Sequence, residues 1–328
     1  MIIPPRYTLT PRIVELLQTI AAAKQVIDDV AIPPEVEQNI RRASTLRSSV
    51  FSARIEGNPY TLEEILHAPS KDQKKAEAMN ILKGLDYVQE KEKKDLSESE
   101  ILTMHAIVMK GLIDSDNLGH YRKNAEAIFN SAGIAIYMPP PARMVPPLMA
   151  RLVKYANADR ERIIPIRAAL VHYTFERIHP FLDGSGRVGR VVMQKVLAKG
   201  GYGMKGLLSL EEYLDQHRSE YYRMLEEPEK DVTDYVTFML SAIAETADSA
   251  RKTVLAKQVL VDTDYLLPRR AEILKIIRDH TVINFDSIKR RFSAINERTL
   301  RYDLKKLQDE GFITKLGTTK GVFYKPRN

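Results

Sequence analysis

Apolar residues recur at helical spacing along most of this 328-residue chain, and several of the helices they predict carry their own start signals. Ile13, Leu16, Leu17 and Ile20 follow Thr10-Pro11, a hydroxyl cap ahead of a proline suited to the first helical turn. Thr61 with Glu64, after the turn signal Asn58-Pro59, and Ser97 with Glu100, before ILTMHAIVMKGL, both have capping-box spacing. The pattern breaks between Gly133 and Met149, where five prolines and a short apolar run predict an extended or hairpin segment. Two helices divided near Asp159–Pro165 come next, and a closing helix is expected over 240–257.

The least patterned stretch, QVLVDTDYLL, marks the expected domain boundary. After it the order is that of a winged helix-turn-helix: helix Arg269–Arg278, helix Phe285–Phe292, the turn SAI, helix NERTLRYDLKKLQDEG, then strands FITKLG and GVFYKP. Charge follows this division. Residues 265–328 hold 15 Lys and Arg against 7 Asp and Glu, whereas the rest holds 35 against 36, so the excess positive charge sits in the C-terminal part. Cysteine is absent, which excludes disulfides, thiolate metal sites and thiol nucleophiles. With no signal-peptide pattern and no run of 18 apolar residues, a soluble, cytoplasmic protein without membrane partners is expected.

The chemistry concentrates in IHPFLDGSGRVGR, Ile178 to Arg190. Pro180 disfavours the helical conformation for His179, so a helix should end there and present the imidazole. Gly184, Ser185 and Gly186 then precede a helix whose free N–H groups and positive dipole end suit an anion. Arg187 and Arg190 lie three apart on its first turn, where two cations oppose the dipole unless something anionic offsets them. Asp183 offers one hard oxygen ligand of the kind that holds Mg²⁺ jointly with substrate phosphates. His179, with an ordinary pKa of about 6.5, is the nearby group able to take a proton at neutral pH. Base, metal ligand and anion site spell phosphoryl or nucleotidyl transfer. The plainer alternative is an ordinary turn, with Ser185 as N-cap and the arginines paired to surface acids. No GxxxxGK[ST] or HExxH motif is present, and His172 with His179 lacks a third zinc ligand.

HPFLDGSGR followed by Arg190 resembles the HPFx(D/E)GNGRxxR signature of Fic-domain proteins at every fixed position but one, Ser185 replacing asparagine. GHYR (Gly119–Arg122), YMPPP and EYYRML stand at family-like places, so the resemblance spans most of residues 1–250. It implies a mainly α fold: an N-terminal helical region with an inhibitory helix (1–100), a Fic helical core with a short β-hairpin flap (101–257), and a small winged helix-turn-helix domain (265–328). The implied activity is transfer of AMP from ATP, with Mg²⁺, to a Ser, Thr or Tyr hydroxyl of a protein target or of the chain itself. By position, His179 would be the base, Asp183 the metal ligand, Gly184 to Gly186 the anion hole, and Arg187 and Arg190 the phosphate clamp. Ile134, Ala135, Ile136 and Tyr137 would form the flap; the resemblance does not spell out an adenine pocket, for which Tyr222 with its neighbour Tyr221 is the candidate lining.

Upstream, Ser52-x-x-x-Glu56-Gly57 resembles the family's inhibitory motif, [S/T]xxxE[G/N], which implies that Glu56 pairs with Arg190 in the place of the γ-phosphate. The same Glu in related proteins positions water for removal of AMP. In the winged helix, Leu300, Leu304 and Leu307 form an apolar stripe with Arg298, Arg301 and Lys305 off it, a face suited to DNA, while Lys315, Lys320 and Lys325 surround the wing. Winged helices also recruit proteins or dimerise, so a homo-oligomer is compatible. The alternative function is a DNA-binding regulator whose Fic-like part senses nucleotide.

Overall fold

The computed structural model describes residues 1–129, 135–226, 230–259, 266–293, 295–317 and 322–327. The chain divides into two compact units, residues 1–30 with 38–254, and residues 255–328 with 31–37. The expected junction at QVLVDTDYLL falls largely on 260–265, outside the described residues.

The first unit opens with α1 (Pro11–Asp29), capped by Thr10, whose hydroxyl accepts from the Ile13 N–H. Ile13, Leu16, Ile20 and Ile27 form its buried stripe, while Leu17 falls beside it. Then come α2 (Pro34–Ile55), α3 (Leu62–His67), α4 (Gln73–Glu90) and α5 (Glu98–Val108). Thr61 and Glu64 form the full capping box on α3. Ser97 caps α5, but Glu100 turns inward to meet buried Lys195 at 3.4 Å, so only half of that expected box forms. The hairpin is β1 (Ile128–Phe129) antiparallel to β2 (Ala135–Tyr137).

Helices α6 (Val145–Asn157) and α7 (Ile164–Ile178) are divided where the sequence placed the break, and α8 (Ser185–Leu197) packs against α7, α4 and α5. α7 is buried around nearly its whole circumference, which makes it the axis of the unit. α9 (Leu210–Gln216), α10 (Arg218–Glu226) and α11 (Thr233–Val259) follow. α11 starts earlier than the apolar pattern suggests because Asp231 accepts the Thr233 N–H and hydroxyl.

The second unit holds α12 (Pro268–His280), β3 (Ile283–Asn284), α13 (Phe285–Arg291), α14 (Glu297–Asp309), β4 (Ile313–Leu316) and β5 (Phe323–Pro326). Its antiparallel sheet has the order β3-β5-β4, and Ile273, Leu274, Ile277, Ile288, Leu300, Leu304 and Leu307 fill the core. β3 escaped the sequence reading because two residues carry no period. No helix among the described residues is long and apolar enough to cross a membrane.

Candidate active site

His179 sits at the C-cap of α7 in the left-handed region, with φ 47° and ψ 68°, a conformation uncommon for a residue with a Cβ. Arg122, itself buried, holds this turn from below. Its Nε donates to the His179 carbonyl at 2.7 Å and an Nη2 donates to Pro140 and Ile178 carbonyls, while the Arg122 N–H donates to Pro180 O at 2.9 Å. The last carbonyls of α7 therefore meet a cation, which also suits the negative end of the helix dipole.

His105 on α5 supports the next loop. Its ring stacks on Phe181 at 3.8 Å, its Nδ1 accepts the Gly119 N–H at 2.9 Å, and its Nε2 lies 3.1 Å from the Asp183 carbonyl.

Gly184 is the N-cap of α8, at φ +85°. A Cβ there would lie 2.5 Å from the Met109 Sδ, so both the backbone hand and the packing require glycine. This corrects the expectation that Ser185 caps the helix: Ser185 is its first residue. Its buried hydroxyl reaches back to Phe181, accepting from that N–H at 3.1 Å and donating to that carbonyl at 3.2 Å. The side chain thus closes the Phe181–Ser185 turn internally.

The two arginines meet the protein's own carboxylates. Arg190, 1% exposed, donates through Nε to Ser52 Oγ, and through Nη2 to the Ser52 carbonyl and to Glu56 Oε1, each at 2.9 Å. A Cβ at Gly186 would come within 2.5 Å of Glu56 Oε1, so this glycine makes room for the carboxylate beside the cradle. Arg187 is forked between Glu77 Oε1 and Asp183 Oδ1, each at 2.5 Å. Glu77 also accepts from Asn58 Nδ2 at 2.9 Å, so the turn after Glu56 is tied to the Arg187 partner. α10 holds the other side of the Glu56 turn: Tyr222 Oη donates to Ile55 O at 3.0 Å, and Arg218 to Arg54 O at 2.6 Å.

Burial would raise the Glu56 carboxyl, but Arg190 and then Arg187 outweigh it and hold the group below the usual carboxylate range. Burial opposes the charge on Arg190, and Glu56 reverses that effect. His179 is pushed down to about 4 by burial, with Glu56 pulling the other way. Burial also lowers His105 against the pull of its bond to Asp183. Behind the arginine, His172 is held at about 3 by burial and Arg190, while burial drives Glu176 up to about 8. His172, fully buried, meets Tyr221 Oη through Nε2 at 2.7 Å.

The fold thus gathers Ser52, Glu56, Asp183, Gly186, Arg187 and Arg190. Gly57, at φ +95°, turns the chain after Glu56. Ile134 lies outside the described residues, and the backbones of Ala135, Ile136 and Tyr137 form β2. Tyr137 Oη donates to the Arg177 carbonyl at 2.8 Å, anchoring that strand to the last turn of α7. Arg298, Arg301 and Lys305 belong to the second unit, exposed on α14, and Arg301 donates to Glu297 and stacks on Phe285. Lys320 lies outside the described residues. Glu77, His105 and Glu176 were missed. The partners of Glu77 and His105 are 110 and 78 positions away in the sequence, and Glu176, 3.7 Å from His172 one turn before it, is marked only by its burial beside Arg190.

No cluster of three His, Asp or Glu suited to a metal occurs among the described residues. Asp183, whose side chain is 53% exposed, is a single carboxylate at the mouth of the cradle, which fits an ion held mostly by substrate phosphates and water.

Residues 95–197 match the Fic/DOC family, and residues 271–323 match the ribonuclease R winged-helix domain. The curated relatives include "Protein adenylyltransferase Fic" of Drosophila sechellia and Drosophila melanogaster, each 30% identical over 210 residues, 60% of this chain and 40% of theirs. The chain therefore matches about two fifths of the length of these relatives. Among solved structures, a Fic family protein from Desulfovibrio desulfuricans superposes with a TM-score of 0.70 at 25% identity, covering 99% of this chain and 98% of that one. Fic-1 from C. elegans superposes at 0.59 with 20% identity, over 74% and 72%, which speaks to fold alone. The motif, the helical core around α7 and α8, and these matches together show that the chain carries a Fic/DOC domain followed by a C-terminal winged-helix domain.

Proposed function

We propose that the first unit transfers AMP from ATP to a hydroxyl side chain of a protein, its own or a partner's, and that Glu56 holds this activity in check. The observation that carries the reading is the Glu56–Arg190 pair at 2.9 Å against Gly186, which sets a carboxylate beside the anion cradle and on the clamp arginine. The relatives named protein adenylyltransferase support the reaction class.

In this mechanism the target hydroxyl oxygen attacks the α-phosphorus as the bond to the β-phosphate oxygen breaks, and pyrophosphate leaves. His179 takes the hydroxyl proton. Burial keeps it neutral over the working pH range, so it is in the accepting form, and a nearby anionic phosphate raises its basicity. The N–H groups of Gly184 to Gly186 and the arginines Arg187 and Arg190 orient the phosphates and offset charge on the departing group. Asp183 would hold Mg²⁺, which when bound neutralises phosphate charge. With Glu56 on Arg190, a γ-phosphate loses its guanidinium partner and the nucleotide settles unproductively.

The test is incubation of pure protein with Mg²⁺ and ATP labelled on its α-phosphate. Weak label on the wild-type chain, stronger label on Glu56→Gly, and a loss of about 10²- to 10⁴-fold for His179→Ala with ATP binding retained are expected. Absence of label from every form sinks transfer to the chain itself, and absence of label from any protein when a cell extract is added to the Glu56→Gly form sinks transfer to a partner. Undiminished label on His179→Ala sinks the role of the base.

The exposed face of α14 favours a second reading for the other unit, nucleic-acid contact through Arg298 and Lys305.

A further inference from the structure

We propose that His105 is a positioning residue for the anion cradle: it locks the Asp183–Gly184 peptide so that the Gly184 N–H faces away from α5, toward the phosphate site. The proposal rests on the nucleotide reading above for the identity of the anion.

Both ring nitrogens of His105 are engaged by main chain, and the two contacts fix the tautomer. The Gly119 N–H is a donor, so Nδ1, 2.9 Å away, accepts and carries no proton. Nε2 then bears the proton and donates to the Asp183 carbonyl at 3.1 Å. Stacking on Phe181, at 3.8 Å and 10° between planes, prevents the ring from turning out of this arrangement. Phe181 is in turn fixed by Ser185, so the histidine, the aromatic ring and the turn form one closed unit.

The consequence follows from peptide planarity. In a trans peptide the C=O and the following N–H point in opposite directions. Holding the Asp183 oxygen on His105 therefore aims the Gly184 N–H away from it. The lock is needed at this peptide because Gly184, at φ +85°, follows it, and glycine accepts either hand of φ, so reversal of the peptide meets little intrinsic resistance. Reversal would replace a donor by a carbonyl oxygen facing an anion. α5 supports the same loop a second time through Met109, whose side chain fills the space where a Gly184 Cβ would stand.

Two variants separate positioning from mere packing. His105→Phe keeps an aromatic ring on Phe181 and removes both hydrogen bonds; His105→Gln retains an amide donor for the Asp183 oxygen. Affinity for Mg²⁺-ATP is measured by calorimetry on full chains carrying Glu56→Gly, and transfer is followed with the α-phosphate label. His105→Phe should weaken ATP binding and transfer by roughly tenfold to a hundredfold, the worth of one hydrogen bond to a charged group. His105→Gln should recover most of that loss at an unchanged thermal midpoint.

Equal affinity of the Phe variant and its parent overturns the proposal, as does a Gln variant no better than Phe. If the parent binds ATP but labels nothing, the transfer reading falls while the affinity comparison still judges His105. A parent that binds no ATP overturns both. Nitrogen NMR of the wild-type chain judges the lock without any variant: a proton found on Nδ1 of His105 refutes it.

Discussion

Arg190 is sealed inside the first unit and its charge is met by Glu56, whose own side chain is 30% exposed. Removing one partner of such a pair leaves an uncompensated charge, so Glu56→Gln should cost about 1–3 kcal/mol, less than a fully sealed pair because water reaches the carboxylate. Urea unfolding measures this, and saturating Mg²⁺-ATP should restore much of it by supplying another anion. A variant as stable as the wild type, with or without ATP, would show that the pair is not what balances Arg190. Ser185 has a different dependence. Its hydroxyl serves Phe181 and is buried, so Ser185→Ala leaves a buried N–H unpaired and should cost about 1–3 kcal/mol. An unchanged urea midpoint would mean the turn closes without it. The sequence exposed the identities here but not this use of the serine: a cap and a backward bridge call for the same residue type, and only the left-handed Gly184 ahead of it decides between them.

At the scale of elements, α7 carries groups whose charges burial suppresses. His179 and His172, held at about 4 and about 3, are neutral in the fold yet would charge below 6.5 in the unfolded chain. Their folded values are depressed, so the stability they contribute is present above pH 6.5 and is lost as pH falls through 4 and 3. Glu176 runs the other way. Its value is raised from 4.5 to about 8, so its contribution is present below 4.5 and is lost as pH rises toward 8. Glu176→Gln, uncharged at any pH, should gain stability relative to the wild type steadily across that window in unfolding measured at matched ionic strength. Parallel curves for the two chains would mean that Glu176 is ionised in the fold at neutral pH. The existence and limits of α7 were legible from apolar spacing, Pro165 and Pro180. Its burial on all sides was not, because Arg167, His172 and Glu176 read as a polar face until their tertiary partners are known.

For the whole molecule, charge and fold divide at nearly the same place, and the C-terminal part holds 15 cationic against 7 acidic side chains. The sequence showed that excess, the order of helices and strands, and the Leu300, Leu304 and Leu307 stripe that the core of the second unit uses. It did not show how much of the positive charge is already balanced. Asp303, buried on α14, takes Arg269 and Arg270, and Glu297 takes Lys289 and Arg301. Arg298 and Lys305 remain as exposed cations on the helix that would enter a groove, seven residues and thus two turns apart. If they contact phosphates, replacing both by alanine in the full chain should weaken binding to a fluorescent DNA duplex about equally for different sequences. It should also reduce the slope of log affinity against log salt by about 2, one for each lost phosphate contact. Replacing Arg301, already bound to Glu297 and stacked on Phe285, should change that slope less. A slope untouched by the Arg298 and Lys305 pair would assign this face to solvent and leave the winged helix to protein contacts.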